Sequence, residues 1–373
     1  MNTAIPLWFI PATILPSLLI AWLSAYLVRR WAPAWGLVDR PDARKVHTTP
    51  TPLGGGLSIW LAVVLPLAVG QLGLWLVKSQ WISAELLPEF VRPHVSGLWQ
   101  QSFRLWALLA AGTVLMILGL LDDRWGLKWQ LRLGVQCTVA AACVVWQDCG
   151  LTAFIAIPAI TWTLSVVWIV ALVNSFNMLD NMDGLSGGIA AIAASLLATV
   201  VLTNPVGSGP QLFVGGLLLI FVGGLLGFLW HNRPVAKLFM GDAGSYFVGF
   251  NIAILTLLAT YASYGSQSQH AILTPLCVMA VPIYDMFTVL WIRIREGRSP
   301  VQADKSHFSH RLVELGLSKG QAVLTIYLTT ATCGLAALLL RRVDWVGAGI
   351  IVLMVVCVLA LITILETTGR KRG

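Results

Sequence analysis

The chain is predicted to be an all-α polytopic integral membrane protein, and three observations lead there. Of its 373 residues 57% are hydrophobic and only 11% charged, a balance far more apolar than one soluble core needs. The apolar residues gather in about eleven runs, each near the 20 residues that cross a hydrocarbon layer as helix. These runs are continuous rather than alternating, which argues against a closed β-barrel, the other fold that satisfies its backbone in lipid.

The first run, 7–29, lacks the basic start and small-residue cleavage site of a secretory signal and is expected to stay as a helix. It ends on Arg29 and Arg30, and Arg40, Arg44 and Lys45 follow before a second run at 56–77. Lys78 and Arg92 precede the third run, 104–121, which opens on Arg104 and closes on Asp122-Asp123-Arg124. Lys128 leads into the fourth, 130–147, and the fifth, 153–173, passes directly into a polar stretch from Asn174 to Gly184. Runs at 184–203 and 211–230 come next, then Arg233, Lys237 and a glycine-rich segment that opens the run at 244–263. The ninth run, 271–292, contains Asp285. A basic loop from Arg293 to Lys319 separates it from runs at 320–340 and 344–365, and Arg370, Lys371 and Arg372 end the chain.

Eleven spans place the termini on opposite faces. The loops that share a face with the C-terminus hold 19 of the 24 Lys and Arg residues, so the positive-inside rule puts the N-terminus outside and the C-terminus in the cytoplasm. Asp122, Asp123, Asp180, Asp183, Asp242, His307 and His310 fall on that same face although none entered the count. The expected organisation is a single transmembrane catalytic domain over 1–373, its active site formed by cytoplasmic loops. The six cysteines show no CxxC spacing, so neither a disulfide framework nor zinc is indicated. Many of the 17 Trp lie near run ends, as interfacial anchors do. A net charge of +8 suits a protein beside anionic lipid and does not imply nucleic acid.

Five motifs carry chemistry on that face. In Asn174-Ser-Phe-Asn177-Met-Leu-Asp180-Asn181-Met-Asp183, helical spacing places Asn174, Asn177 and Asn181 on one stripe with Asp180 beside it, and Asp183 one turn on. Clustered carboxylates need a cation or donors to offset their repulsion. Asp122-Asp123 alone marks only a turn, but in this company it is a candidate metal ligand or base. Phe239-Met240-Gly241-Asp242-Ala243-Gly244-Ser245 opens a helix where free amides and the dipole favour phosphate, and Asp242 offers Mg²⁺ a hard oxygen ligand. His307 and His310 stand in a loop rich in Arg and Lys, suited to phosphate or sugar contacts. Arg44-Lys45-Val-His47, before Pro50 and Gly54-Gly55-Gly56, forms a basic lip. Asp285, an ionisable group inside an apolar run, is a secondary functional candidate.

Taken together, these residues resemble the polyprenyl-phosphate N-acetylhexosamine-1-phosphate transferases, glycosyltransferase family 4. The likeness runs from about Asp39 to Ser318, with the motifs in the family's order: the basic Arg44–Gly55 segment, Asp122-Asp123, NxxNxxDxxDGL from Asn174, FMGDxGS from Phe239 and a histidine motif from His307 to Leu312. The WecA/TagO-like branch that uses UDP-N-acetylglucosamine is closer than the MraY branch, whose last motif has three consecutive histidines. Two positions depart from the common pattern. Asn181 replaces a glycine after the first Asp of the motif, and Ser309 replaces the middle histidine of HxHH, so that Ser309→His is expected to be tolerated.

The resemblance implies transfer of a sugar-1-phosphate from a UDP-N-acetylhexosamine to undecaprenyl phosphate, releasing UMP, with Mg²⁺ or its substitute Mn²⁺. It implies Asp242, with Asp122, at the metal; Asp122 or Asp123 deprotonating or orienting the lipid phosphate; and Asn174, Asn177, Asp180 and Asp183 ordering the nucleotide. Phe239 would stack on uracil, His307, His310 and Arg311 would contact sugar and diphosphate, and Lys45, His47 and Lys237 would line the rim. The setting implied is the bacterial inner membrane, with the site facing the cytoplasm and a homo-oligomer compatible. The rival from another class is a proton- or ion-coupled transporter, which would place its acids near the membrane midplane. Only Asp285 leans that way.

Overall fold

The computed structural model describes residues 5–39, 49–147, 149–151, 155, 157–203, 210–262, 268–301 and 306–369. Thirteen helices dominate the described residues. In order they are α1 (Phe9–Trp31), α2 (Gly55–Lys78), α3 (Val95–Trp125), α4 (Trp129–Trp146), α5 (Pro158–Leu179), α6 (Leu185–Thr203), α7 (Leu212–Asn232), α8 (Gly241–Leu258), α9 (Thr274–Val278), α10 (Ala280–Arg295), α11 (Phe308–Glu314), α12 (Lys319–Ala337) and α13 (Trp345–Gly369). Two strands of two residues each, β1 (Val38–Asp39) and β2 (Thr51–Pro52), pair antiparallel on either side of the basic lip. Lys45 and His47 lie outside the described residues.

Nine helices among the described residues are long and apolar enough to cross a membrane, and ten if one bent pair counts as a span. The protein is therefore a multi-pass membrane protein, with fewer clear spans than the eleven runs suggest. The remaining expected span, 130–147, is helical as α4, but Gln130, Arg132 and Gln136 dilute its apolar character. The run at 271–292 is not one rod: the short helices before Met279 and α10 after it meet at a 62° bend. Pro282 lacks the N–H that would reach back to Val278, so the helix breaks there. The third run also extends earlier than its apolar core, since α3 begins at Val95.

The middle of the bundle is α6, α7 and α8, whose apolar windows are 67–72% buried, whereas α1, α2 and α13 are 22% buried and form the periphery. One contact in this packing positions the site. A Cβ on Gly119 of α3 would lie 2.3 Å from the carbonyl oxygen of Asp242, so only glycine lets α3 approach the start of α8 this closely. That approach sets Asp122 and Asp123, one turn further along α3, against the N-terminus of α8.

Candidate active site

The acidic motifs converge at that junction. Asp123 accepts the backbone N–H of Asp242 at 2.8 Å and that of Ala243 at 3.2 Å, one on each carboxylate oxygen. The Asp180 carboxyl lies near the Gly241 amide. Gly241 has φ +70°, and a side chain there would collide with Asp123. The positive end of α8 is thus capped by the protein's own Asp123 carboxylate. This corrects the expectation that these amides stand free for a phosphate.

Asp122 is buried beneath them. Its Oδ1 accepts the N–H of Leu127 at 2.7 Å, and its Oδ2 accepts Arg132 Nη1 at 2.6 Å and the Tyr246 hydroxyl at 3.1 Å. The same Arg132 nitrogen lies 3.6 Å from Asp242 Oδ2. Asp242 is the more open of the two acids, with a side chain 30% exposed against 4% for Asp122. Its Oδ1 accepts Asn177 Nδ2 at 2.6 Å, and Ser245 Oγ takes a second bond from the same amide at 3.0 Å. Burial first, then the nearby Asp123 charge, push Asp180 up to about 8, with the Gly241 amide acting in the opposite direction.

The structure separates the asparagine stripe. Helix α5 ends at Leu179, so the periodicity stops before Asn181. Asn177 meets Asp242, Asn174 donates to Gln136 Oε1 on α4 at 2.7 Å and to the Val170 carbonyl at 2.8 Å, and Asn181 accepts the Ser309 hydroxyl at 2.5 Å. Asp183 does not join the central cluster through its described bond; its Oδ2 accepts the N–H of Ala236 at 3.0 Å and anchors the loop behind α7. In that loop Lys237 is exposed. Phe239, half-buried, bonds through its N–H to Pro52 and through its carbonyl to Gly55.

On the facing side, His307 is buried with Nδ1 3.0 Å from Asp285 Oδ2, while Asp285 Oδ1 accepts the N–H of Phe308 at 2.6 Å. The His310 ring lies 6.3 Å from that of His307, centroid to centroid. Arg311 points away from the acids: Nε reaches Glu366 Oε2 at 3.0 Å, Nη2 reaches Thr288 Oγ1 at 3.1 Å, and Nη1 donates to the Ser306 carbonyl. Sequence reasoning missed Tyr246, Gln136 and Glu366. Glu366 had a signal, since a lone acid at the end of the most apolar run is costly unless paired.

Among the described residues no three His, Cys, Asp or Glu side chains converge as a ready-made metal site. Mg²⁺ does not need one, because it commonly takes one or two carboxylates and fills its octahedron with phosphate oxygens and water. Asp242 fits that demand. Its side chain is 30% exposed, Oδ2 is too far from Arg132 for a hydrogen bond, and the charges of Asp122 and Asp123 lie nearby.

A helical membrane bundle with acids, amides and histidines gathered where its helices end defines a membrane-embedded enzyme class with an interfacial polar site. A family model described as glycosyl transferase family 4 matches residues 105–260. The chain is 33% identical over 352 residues to a probable undecaprenyl-phosphate N-acetylglucosaminyl 1-phosphate transferase of Bacillus subtilis, covering 91% of this chain and 87% of that protein. It is 32% identical to a decaprenyl-phosphate N-acetylglucosaminephosphotransferase of Mycobacterium tuberculosis, covering 88% and 81%, and 26% identical to an undecaprenyl-phosphate alpha-N-acetylglucosaminyl 1-phosphate transferase of Escherichia coli K12, covering 83% and 78%. The chain belongs to glycosyltransferase family 4, in its polyprenyl-phosphate N-acetylhexosamine-1-phosphate transferase group.

Proposed function

We propose that the protein transfers N-acetylglucosamine-1-phosphate, or a related N-acetylhexosamine-1-phosphate, from its UDP-sugar to undecaprenyl phosphate and releases UMP, as the first membrane step of a cell-envelope polysaccharide. The observation that carries this reading is the convergence of Asp122, Asp123, Asn177 and Asp242 in one hydrogen-bonded cluster where α3, α5 and α8 meet. In the reaction an oxygen of the lipid phosphate forms a bond to the phosphorus that carries the sugar. The bond from that phosphorus to UMP breaks, and UMP leaves with the electron pair.

Both partners are anions, so the residues must bring like charges together in line. Bound at Asp242, Mg²⁺ or Mn²⁺ would neutralise diphosphate charge. Asn177 fixes the rotamer of Asp242, and Asp123 fixes the backbone beneath it. Asp122 acts by holding Arg132, whose guanidinium orients the lipid phosphate; its oxygens already accept three donors, which suits a positioning role better than that of a free base. Asp180 and Asp183 order the turn that receives the nucleotide, with Phe239 against uracil and Lys237 at the rim. His307 and His310 meet the sugar and diphosphate, and Arg311 braces their helix against α13. An apolar groove lined by Val166, Val167, Val170, Ala171, Cys137 and Met286 ends at Asn174 and offers the prenyl chain a path in the bilayer.

The site is taken to face the cytoplasm of a bacterial inner membrane, on the strength of the basic loops. The transporter alternative loses its support: Asp285 is fully engaged by His307 and Phe308 rather than standing open at the midplane. The deciding experiment gives the purified protein undecaprenyl phosphate, Mg²⁺ and, separately, UDP-N-acetylglucosamine, UDP-N-acetylgalactosamine and UDP-MurNAc-pentapeptide. Lipid-dependent UMP release is expected with the first. No release with any donor from folded protein overturns the reading.

A further inference from the structure

The two positions at which this chain departs from the family's common motifs touch one another. Ser309 Oγ donates to Asn181 Oδ1 at 2.5 Å, across 128 residues of sequence. Asn181 Nδ2 donates to the Met178 carbonyl at 2.7 Å, which fixes which end of the carboxamide faces the serine. Asn181 stands in the turn between Asp180 and Asp183, and Ser309 lies in α11 between His307 and His310. Ser309 is only 1% exposed.

We infer that Asn181 and Ser309 form a latch that sets the distance between the acidic turn and the histidine helix, and so governs binding of the nucleotide-sugar donor. The inference rests on the transferase reading and names a positioning pair within it. Each partner suits the other. A glycine at 181 removes the acceptor and leaves the buried Ser309 hydroxyl without its partner. An imidazole at 309 reaches further than a hydroxyl, and in an enclosed site 2.5 Å from Asn181 its ring must enter the space of the carboxamide. Glycine at 181 would vacate that space. On this inference the two departures are compensatory, and Ser309→His is accommodated only together with glycine at 181, contrary to the expectation that it is tolerated alone.

The test is a double-mutant cycle on the full-length protein with Asn181→Gly, Ser309→His and the pair combined, plus Ser309→Ala as a milder probe. Donor KM, lipid KM, kcat and the thermal unfolding midpoint are measured for each. Each of the two exchange variants should raise donor KM roughly tenfold, the scale of coupling between residues in direct contact. Lipid KM and kcat should stay near wild type, and the combined variant should return to within about threefold of wild-type donor KM. Ser309→Ala should raise donor KM less than Ser309→His. A merely structural bond would lower the folded fraction, and with it apparent kcat, without moving donor KM. Losses that multiply in the combined variant overturn the latch, as does a shift in lipid KM alone. If the wild type turns over no donor, the transferase reading fails instead, and the latch is then judged on the unfolding midpoints, where simple additivity sinks it.

Discussion

The backbone N–H of Asp242 donates to the Asp123 carboxylate at 2.8 Å, so one acid of the motif set serves to hold another in place. A carboxylate can accept from both Asp242 and Ala243, whereas an asparagine presents one acceptor and turns its NH₂ towards an N–H. Asp123→Asn is therefore expected to destabilise the start of α8 by about 1–3 kcal/mol, the cost of a buried donor losing its partner. Thermal unfolding of purified protein with and without substrate measures this. An unchanged midpoint would show that Asp123 does not cap α8.

Asp242→Asn should behave differently. Asn177 can still bond a carboxamide oxygen, and the side chain is half-exposed, so insertion and unfolding midpoint should stay close to wild type. Turnover should fall by about 10²–10³ or more, because the site loses the carboxylate that would hold the cation neutralising the transferring group. UMP release under matched protein levels checks it. Near wild-type turnover removes Asp242 from the metal site.

The helical membrane class and the meeting of the acidic motifs at one end were legible in the sequence, because long apolar runs and charge asymmetry are written locally. Pairings across the fold were not. That Asp123 caps α8 depends on Gly119 admitting α3 to within contact of the Asp242 backbone, a tertiary fact with no local signal. The asparagine stripe failed because periodicity holds only inside a helix, and α5 stops at Leu179. Asp285 illustrates the same limit. A buried acid in an apolar run announces function, but its partner, His307, lies 22 residues further on, beyond the end of α10.

Asp285 yields a third prediction. Its two oxygens hold the His307 ring and the first N–H of α11 together, and such carboxylate partners fix which imidazole nitrogen faces a site. Asp285→Asn should lower kcat at least tenfold, of the order seen when an orienting partner of a histidine is lost. His307→Gln in the Asp285→Asn background should add little, since both act through the same ring. Independent, multiplying losses would separate the two residues.

Lys237 tests the membrane orientation. It is exposed in the loop between α7 and α8. In Lys237→Cys, a membrane-impermeant maleimide should label sealed inside-out vesicles and leave intact spheroplasts unlabelled, judged against the response of the same vesicles with the wild-type cysteines. Labelling from outside the cell would invert the topology that the basic loops predict.

The proton on Asp180 makes stability and cation binding depend on pH in opposite ways. In the folded, metal-free protein its carboxyl titrates near 8, against 3.8 for an unperturbed Asp. A group raised in this way contributes stability that is complete below the unfolded value and is lost as pH climbs through the folded one. Metal-free protein should therefore lose stability between about pH 4 and pH 8, and Asp180→Asn should flatten that part of the profile. A cation entering the cluster favours the ionised carboxylate, so its binding must compete with the proton. Mg²⁺ should accordingly raise the unfolding midpoint more at pH 8 than at pH 6, and this difference should shrink in Asp180→Asn. A midpoint shift by Mg²⁺ that is equal at the two pH values, in the presence of a normal response to substrate, would place the cation beyond the reach of Asp180.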